Sequence, residues 1–495
     1  MPVLGVAVAL ALRLWALRWQ PFVTVDGTEY VRFAEALRAG HLFTSVFPPG
    51  YPVLVALARV LVADRVIAAA LVSLVCGALL PVPVWWLARR ALGARLAWLP
   101  ALLVALHPLL AVFSALTMSE SAYLLALYGG LALAGAARGG GAGAALGAAF
   151  AIRPEALVPA ATLAVGGAWR VARGVARPRT LGMAAAAFLV LAVPCWIWFH
   201  ATLGEWTLTP KVGALRPVVT DWRTDEPRLR PPAGERTGLL ERLARNGPAA
   251  ARQYPDNVLA HGHALLWLWP APLLLLSLAG LARRRGLEAV PLLHLVALPL
   301  LGLSEQPRFV LSAVPALAIL VAVPFARAGR RLRAGLALLL LGGAVWCGID
   351  VAPHFTRPFD GWIDAHQKAG LWLSGVAEPG AVVMDRKPWV AFYANRGYRV
   401  TPDEPYETLV SAAVRDGVRY LVVDQKVTEV FRSQLEPLLY DLVFRERERR
   451  LELVYVGGRE AGYGLGIFRV LRPGEAKSGQ PPFLDAAWMT GGSAR

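Results

Sequence analysis

Asp26 is the residue of this chain that most clearly suggests chemistry. It lies in the segment Val25-Asp-Gly-Thr-Glu-Tyr30, directly after a first apolar run. A carboxylate beside a membrane helix could act as a general base that takes a proton from an attacking hydroxyl. A structural role is the alternative, because Asp is a good helix N-cap and Glu29 stands at the position of a capping box. The sequence leaves both interpretations open.

Glu120 is a second acidic candidate. It ends the segment Thr117-Met-Ser-Glu120, at the start of another apolar run. An acid in the first turn of a helix is favoured by the helix dipole, which would explain it without a function. It could also be a second catalytic carboxylate facing Asp26.

Two arginines are candidates for binding a phosphate. Arg153 lies in Arg153-Pro-Glu155 between two short apolar runs, and Arg308 ends the segment Ser304-Glu-Gln-Pro-Arg308. Charged side chains at membrane depth are costly and usually have a partner or a function, and a guanidinium fork suits phosphate oxygens. For Arg153, an ion pair with Glu155 is the simpler alternative. The further candidates for the substrate site are Glu29, Tyr30, Tyr51, Glu155 and Glu305.

The histidines and cysteines considered for metal binding have no suitable spacing, so no metal ligand is assigned from the sequence. The histidines are His107, His200, His261, His263 and His294, and the cysteines are Cys76, Cys195 and Cys347. The three cysteines fall in separate apolar runs, which predicts no disulfide framework.

The composition is that of a polytopic membrane protein. Of 495 residues, 56% are hydrophobic, and the mean hydropathy is +0.48. The net charge of +17 comes largely from arginines in short connections, without an aromatic-interleaved basic domain, and this excludes nucleic acid as a partner. No cationic region precedes the first apolar run and no small-x-small cleavage site follows it, which predicts a retained helix.

The apolar runs predict about eleven membrane spans. They are Val3–Trp19, Arg65–Ala88, Leu96–Phe113, Ser121–Ala137, Ala142–Ile152, Ala156–Trp169, Leu181–His200, His263–Leu281, Leu287–Leu303, Phe309–Phe325 and Ala334–Ile349. Five connections contain arginines and no acidic residue, so the positive-inside rule places them in the cytoplasm. Parity then places outside the loops 20–64 and 201–262, the turns at Arg153 and Arg308, and the chain after Ile349.

Two further regions flank these spans. In the first outer loop Tyr30, Phe33, Ala34 and Leu37 follow a helical spacing, which predicts a helix lying on the membrane surface. We expect a transmembrane domain over residues 1–350, an outer α/β domain over 351–472 and a disordered tail over 473–495. The elements predicted for the outer domain are helices Trp362–Val376 and Pro405–Asp416 and strands Ala381–Asp385, Val418–Asp424 and Leu451–Val456. No glycine-rich phosphate loop opens a helix there, so no nucleotide site is predicted.

The ordered set of motifs resembles the GT-C superfamily of membrane glycosyltransferases, specifically the group of protein O-mannosyltransferases and the lipid A aminoarabinose transferase (glycosyltransferase family 39-like). The motifs are Asp26-Gly-Thr-Glu-Tyr30, Pro48-Pro49-Gly50-Tyr51-Pro52, Ser119-Glu120, Gly147 through Arg153-Pro-Glu155, Arg308-Phe-Val-Leu-Ser-Ala-Val-Pro315-Ala-Leu and Val390-Ala-Phe-Tyr393. The resemblance covers roughly residues 1–430. Many relatives carry Asp-Glu at the first motif and His before the double proline, where this chain has Gly27 and Phe47.

The resemblance implies an inverting transferase of the bacterial inner membrane, with a polyprenyl-phosphate sugar as donor and an outward-facing site. Asp26 would align with the catalytic aspartate of the family. The acceptor would be a lipid, a glycan or a protein. No cofactor is assigned, and a divalent cation stays open. The competing classes are a lipid or glycan flippase, for which the sequence has no internal repeat, and a non-catalytic scaffold.

Overall fold

A computed structural model describes residues 2–18, 23–43, 45, 47–204, 206–207, 239–283, 286–301, 307–356, 362–458 and 464–485. They form two compact units. The described residues of the first unit are 2–18 and most of 30–356. Those of the second unit are 23–29, 362–458 and 464–485.

The first unit is helical. Its helices, with the start of α2 belonging to the second unit, are α1 (Pro2–Leu17), α2 (Val25–Arg38), α3 (Gly50–Ala58), α4 (Arg65–Leu79), α5 (Pro81–Leu92), α6 (Trp98–Leu106), α7 (Pro108–Ala115), α8 (Glu120–Gly135), α9 (Gly139–Ile152), α10 (Leu157–Ala172), α11 (Pro178–Leu203), α12 (Leu239–Leu268), α13 (Ala271–Arg283), α14 (His294–Ala297), α15 (Val314–Arg327) and α16 (Arg330–Thr356). Short 3₁₀ segments flank α10, α14 and α15.

Within the described residues, four helices are long and apolar enough to cross a membrane, or up to six if each of two bent pairs is one span. This identifies a multi-pass membrane protein, and the number of eleven spans stays a prediction. Several apolar helices, such as Gly139–Ile152, are shorter than the bilayer core requires of a straight span.

Two of the predicted spans are bent. The chain bends by 107° between α12 and α13, inside the predicted span His263–Leu281, and by 56° between α6 and α7, inside the predicted span Leu96–Phe113. Each bend contains a proline, Pro270 or Pro108, whose ring and missing N–H interrupt a helix. At the second bend the His107 side chain accepts a hydrogen bond from the Leu110 N–H at 3.4 Å and caps α7.

Glycines bring α9 very close to α11. Gly139, Gly143 and Gly147 occur at every fourth position, and a Cβ at each would collide with the backbone of α11. Small residues at this spacing are typical of tightly packed membrane helices. The close packing fixes the C-terminal end of α9, where Arg153 follows.

The second unit contains a mixed six-stranded sheet in the order β2-β1-β3-β5-β4-β6. The strands are β1 (Val382–Asp385), β2 (Gly397–Val400), β3 (Tyr420–Asp424), β4 (Leu451–Gly457), β5 (Leu465–Val470) and β6 (Phe483–Leu484). The helices are α17 (Trp362–Val376), α18 (Trp389–Ala394), α19 (Tyr406–Arg415), α20 (Glu436–Tyr440) and α21 (Leu442–Arg447). Strands β1, β2 and β3 are parallel, and β5 is antiparallel to both β3 and β4.

Both faces of this sheet are buried. Alternate residues of β3 point in opposite directions, so that Val422 packs on the side of α17 and α18 while Leu421 and Val423 pack on the side of α19. The helix predicted over 362–376 has these same bounds, and the three predicted strands appear within one or two residues of their expected ends. Continuous apolar runs are typical of strands buried on both faces.

The first half of the tail predicted to be disordered from residue 473 makes contacts with the rest of the second unit. Glu475 accepts hydrogen bonds at 2.7 and 2.9 Å from Arg419, and Phe483–Leu484 pairs with β4. The Arg419 contact and the Arg472 backbone N–H lower the pKa of Glu475 to about 2. A composition rich in Gly, Pro and Ser does not reveal such ion pairs. Residues 486–495 lie outside the described part of the chain.

Candidate active site

Helix α2 carries Asp26, and its N-terminus is capped by a different residue. The Thr24 side-chain oxygen accepts a hydrogen bond from the Gly27 N–H at 2.9 Å, which is the usual N-cap geometry. Asp26 lies in the first turn of the helix and is partly exposed. The N-cap of α2 is therefore Thr24, and Asp26 is the second residue of the helix.

The residues just before α2 are held by α18 of the second unit. The indole Nε1 of Trp389 donates a hydrogen bond to the Val23 carbonyl at 2.8 Å, and the Val23 N–H donates to the Tyr393 hydroxyl at 3.4 Å. Trp389 is only 1% exposed, so the first bond is shielded from water. These contacts fix the backbone three residues before Asp26.

Arg153 joins two carboxylates in the first unit. Its Nη1 donates to Glu120 Oε1 at 2.7 Å, and its Nε donates to Glu155 Oε1 at 2.6 Å. Arg153 is 8% exposed and Glu120 is 2% exposed. We call these three residues the Arg153 cluster. The ion pair that was expected between Arg153 and Glu155 is present. Glu120, 33 residues before Arg153, also takes part, and the sequence contains no sign of this contact.

Local structure explains how Arg153 reaches both partners. The residue before a proline avoids the helical conformation, and Arg153, which precedes Pro154, is extended with φ −145° and ψ 122°. This ends α9 and turns the side chain out of the helix. On the facing side, a Cβ at Gly50 would lie 2.5 Å from the Ala151 carbonyl carbon, so only glycine fits there. The Pro-Pro-Gly motif thus lets α3 approach the backbone that leads into Arg153.

Further polar residues surround the cluster. The Tyr30 hydroxyl lies 3.0 Å from the Ser119 Oγ, at the start of α8. His294, which is 0% exposed, contacts the Glu155 carbonyl through Nε2 at 2.9 Å and the Ser312 Oγ through Nδ1 at 3.1 Å. Sequence reasoning did not assign His294 or Ser312 to the site. No local motif marks them, because their partners are far away along the chain.

A small cavity brings most of the predicted residues of the first unit together. It is lined by Glu120, Tyr123, Leu124, Arg153, Glu155, Arg308, Phe309, Leu311 and Ser312. Its volume of about 10 Å³ is roughly the space of one water molecule. Two carboxylates and two guanidinium groups line it, so their formal charges cancel. In the part of the chain that the structure describes, no hydrogen-bond partner is found for the buried Glu120 Oε2.

The remaining candidates for the substrate site differ in burial and position. Tyr51 is 0% exposed, and its hydroxyl bonds to the Ala69 carbonyl at 2.9 Å and to Ser73 Oγ at 2.7 Å. Glu29 lies on α2 one turn after Asp26 and is partly exposed. Glu305 lies outside the described residues.

No family model and no curated protein matches the sequence. Solved structures do match the fold. The crystal structure of ArnT from Cupriavidus metallidurans in the apo state has a TM-score of 0.57 at 16% identity, covering 94% of this chain and 97% of that chain. The same enzyme bound to undecaprenyl phosphate also gives a TM-score of 0.57, at 15% identity and the same coverage.

The oligosaccharyltransferase of Archaeoglobus fulgidus in the apo form is similar as well, with a TM-score of 0.57 at 15% identity over 91% of this chain and 73% of that chain. The chain resembles the GT-C glycosyltransferases in fold. Because the ArnT match covers nearly the full length of both proteins, the GT-C likeness extends over both units. At these identities it is a likeness of fold.

Proposed function

We propose that this chain is an inverting GT-C glycosyltransferase that moves a sugar from a polyprenyl phosphate to an acceptor hydroxyl. The observation that carries the proposal is the fold shared with ArnT, which has been crystallised with undecaprenyl phosphate. The polar residues at Asp26 and in the Arg153 cluster supply groups that such a reaction needs. The acceptor hydroxyl belongs to a lipid, a glycan or a protein.

Asp26 is the proposed general base. It takes the proton of the acceptor hydroxyl while the oxygen attacks the anomeric carbon and the bond from that carbon to the phosphate oxygen breaks. A single displacement of this kind inverts the anomeric centre. Its support is structural: Thr24 caps α2, so the Asp26 carboxylate is not needed to satisfy the helix N-terminus.

Arg153 and Arg308 are the proposed ligands of the leaving phosphate. Both line the same cavity, where the charge that develops on the phosphate would be met by guanidinium groups. Glu120 and Glu155 already neutralise the charge of Arg153. The role that we propose for Glu120 is therefore to hold the Arg153 side chain in place. A cavity the size of one water does not hold a phosphate, so donor binding has to widen it.

We further propose that the active site and the second unit face the outside of the cell, since the five connections on the opposite side carry arginines without acidic residues. A single cysteine at Gly375, on α17, should react with a membrane-impermeant maleimide in intact cells in which the outer membrane has been permeabilised. A matched cysteine at Gly174, in an arginine-rich connection, should react only after lysis. The reverse pattern would contradict this orientation.

The experiment that tests the proposed function is reconstitution of the purified protein with a panel of radiolabelled polyprenyl-phosphate sugars and a membrane extract as acceptor source. We expect one donor to be consumed and free polyprenyl phosphate to be released. A flippase would instead move a fluorescent polyprenyl-phosphate sugar across a sealed vesicle without consuming it. That result, or consumption that is equal without the protein, would contradict the proposal.

A further inference from the structure

Three titratable side chains meet at one end of the sheet in the second unit. Asp385 is the last residue of β1 and Asp424 the last residue of β3, and these two strands are parallel neighbours, so both carboxylates leave the sheet at the same edge. His366, on α17, joins them. One ligand-type atom of each residue lies within 4.8 Å of those of the other two. We call these residues the His366 cluster.

We propose that the His366 cluster binds a divalent transition-metal ion through one imidazole nitrogen and one oxygen from each carboxylate. This site is independent of the proposed glycosyl transfer.

The positions of the atoms suit such a site. His366 Nε2 lies 3.2 Å from Asp424 Oδ2. Two ligand atoms bound to one zinc ion at about 2.0–2.2 Å lie about 3–3.5 Å apart, so this pair needs little movement to share an ion. Asp424 Oδ1 accepts from the Val427 N–H at 2.8 Å, and Asp385 Oδ1 accepts from the Lys387 N–H at 3.3 Å. Each carboxylate is thereby oriented by one oxygen while the other remains for the cluster.

Burial makes the cluster costly without a cation. His366 and Asp385 are each 1% exposed, and Asp424 is 4% exposed. Within the described residues, no hydrogen-bond partner is found for the buried Asp385 Oδ2. Leaving a buried carboxylate oxygen without a partner is expensive, and a bound dication would satisfy it while neutralising two negative charges.

A hydrogen-bonded His–Asp pair is the simpler explanation of these residues, and it accounts for only part of the geometry. It explains the contact between His366 and Asp424, because hydrogen-bonded His–Asp pairs are common in packed interiors. It does not explain why a second carboxylate is buried beside them with one oxygen lacking a hydrogen bond.

The ligand set indicates the class of ion. Magnesium and calcium prefer sites made of oxygen ligands, whereas an imidazole with carboxylates suits zinc, iron or manganese. Three protein ligands also leave a fourth position for water in a tetrahedral site. Zinc is therefore the appropriate probe.

The test uses the full-length protein in detergent, freed of metal with a chelator. Wild type titrated with Zn²⁺ should retain one ion per chain after gel filtration, counted by mass spectrometry. Asp385→Asn and His366→Gln should each weaken binding at least tenfold in calorimetric titration. Asp416→Asn, at a partly exposed ion pair of the same domain, and His263→Gln, in the other unit, should bind as wild type. A large excess of Mg²⁺ or Ca²⁺ should not displace the zinc.

Folding does not obscure the result. Asparagine at 385 keeps an acceptor for the Lys387 N–H and removes a buried charge, so thermal unfolding in chelator should match wild type. Zinc binding by both cluster variants that equals wild type would overturn the proposal. So would the absence of stoichiometric zinc in wild type, or its loss in His263→Gln instead. Loss of glycosyl transfer has no bearing on these readouts.

Discussion

Asp26→Asn is expected to lower the turnover of glycosyl transfer by about 10²–10⁴-fold, because an amide cannot take the proton of the acceptor. The side chain is nearly isosteric, and the cap of α2 is Thr24, so the helix start should persist. The favourable interaction of a carboxylate with the helix dipole is lost as well, at about 0.3–1 kcal/mol. Steady-state transfer with the protein's own donor and acceptor is the measurement, alongside donor binding, which should be retained.

Two variants of the same helix serve as controls. Glu35→Gln makes the same chemical change at a residue that pairs with Arg59 at 2.7 Å, and it should leave transfer within about twofold, since partly exposed ion pairs contribute about 1 kcal/mol or less. Thr24→Ala removes the cap and should cost about 1 kcal/mol of stability while transfer persists. If Asp26→Asn turns over like wild type, or if Thr24→Ala reproduces its loss, Asp26 is not the base.

Arg153→Lys is expected to reduce kcat/KM by about 10²-fold or more. Lysine keeps the charge but cannot hold Glu120, Glu155 and an incoming phosphate with one planar fork. A charge-assisted hydrogen bond contributes about 1.5–3 kcal/mol, and 1.4 kcal/mol corresponds to a tenfold change in rate. Replacing Arg153 by methionine should also lower the free energy of unfolding by about 3–5 kcal/mol, because two carboxylates lose their buried counterion.

The matched control is Arg59→Lys, at an ion pair whose residues do not line the cavity. Arg308→Lys should resemble Arg153→Lys in activity, because both arginines line the same cavity. The decisive readout is donor affinity, measured with a slowly reacting polyprenyl-phosphate analogue. If both lysine variants keep the donor affinity and the transfer rate of wild type, the donor phosphate does not bind in this cavity.

Much of the fold followed from the sequence where the pattern is local. A continuous apolar run such as Tyr420–Asp424 predicts a strand that is buried on both faces, and the length of the run predicts where the strand ends. Helix α18 and strand β5 were missed, because a six-residue helix has too few turns to show a period and Gly466 interrupts the apolar run of β5. The bend before Pro270 was missed because the apolar run on both sides is continuous.

The site was harder to predict, because its contacts join distant parts of the chain. Thr24 and Asp26 are both good N-caps two residues apart, and Glu29 at the capping-box position favours Asp26 in the sequence, whereas the structure uses Thr24. Glu120 and Arg153 are separated by a whole helical hairpin, so their pairing depends on how α8 packs on α9. His366 and Asp424 are 58 residues apart, and only the strand order of the sheet brings them together.

The hydrogen bond from Trp389 to the Val23 carbonyl constrains how these proteins can be recombined. The segment before Asp26 and the domain that carries Trp389 are far apart in the gene, yet residues 23–29 and 362–485 form one unit. A chimaera that takes its last domain from a relative would bring in a foreign partner for the native first loop. In such a chimaera, both segments should therefore be taken from the same parent protein.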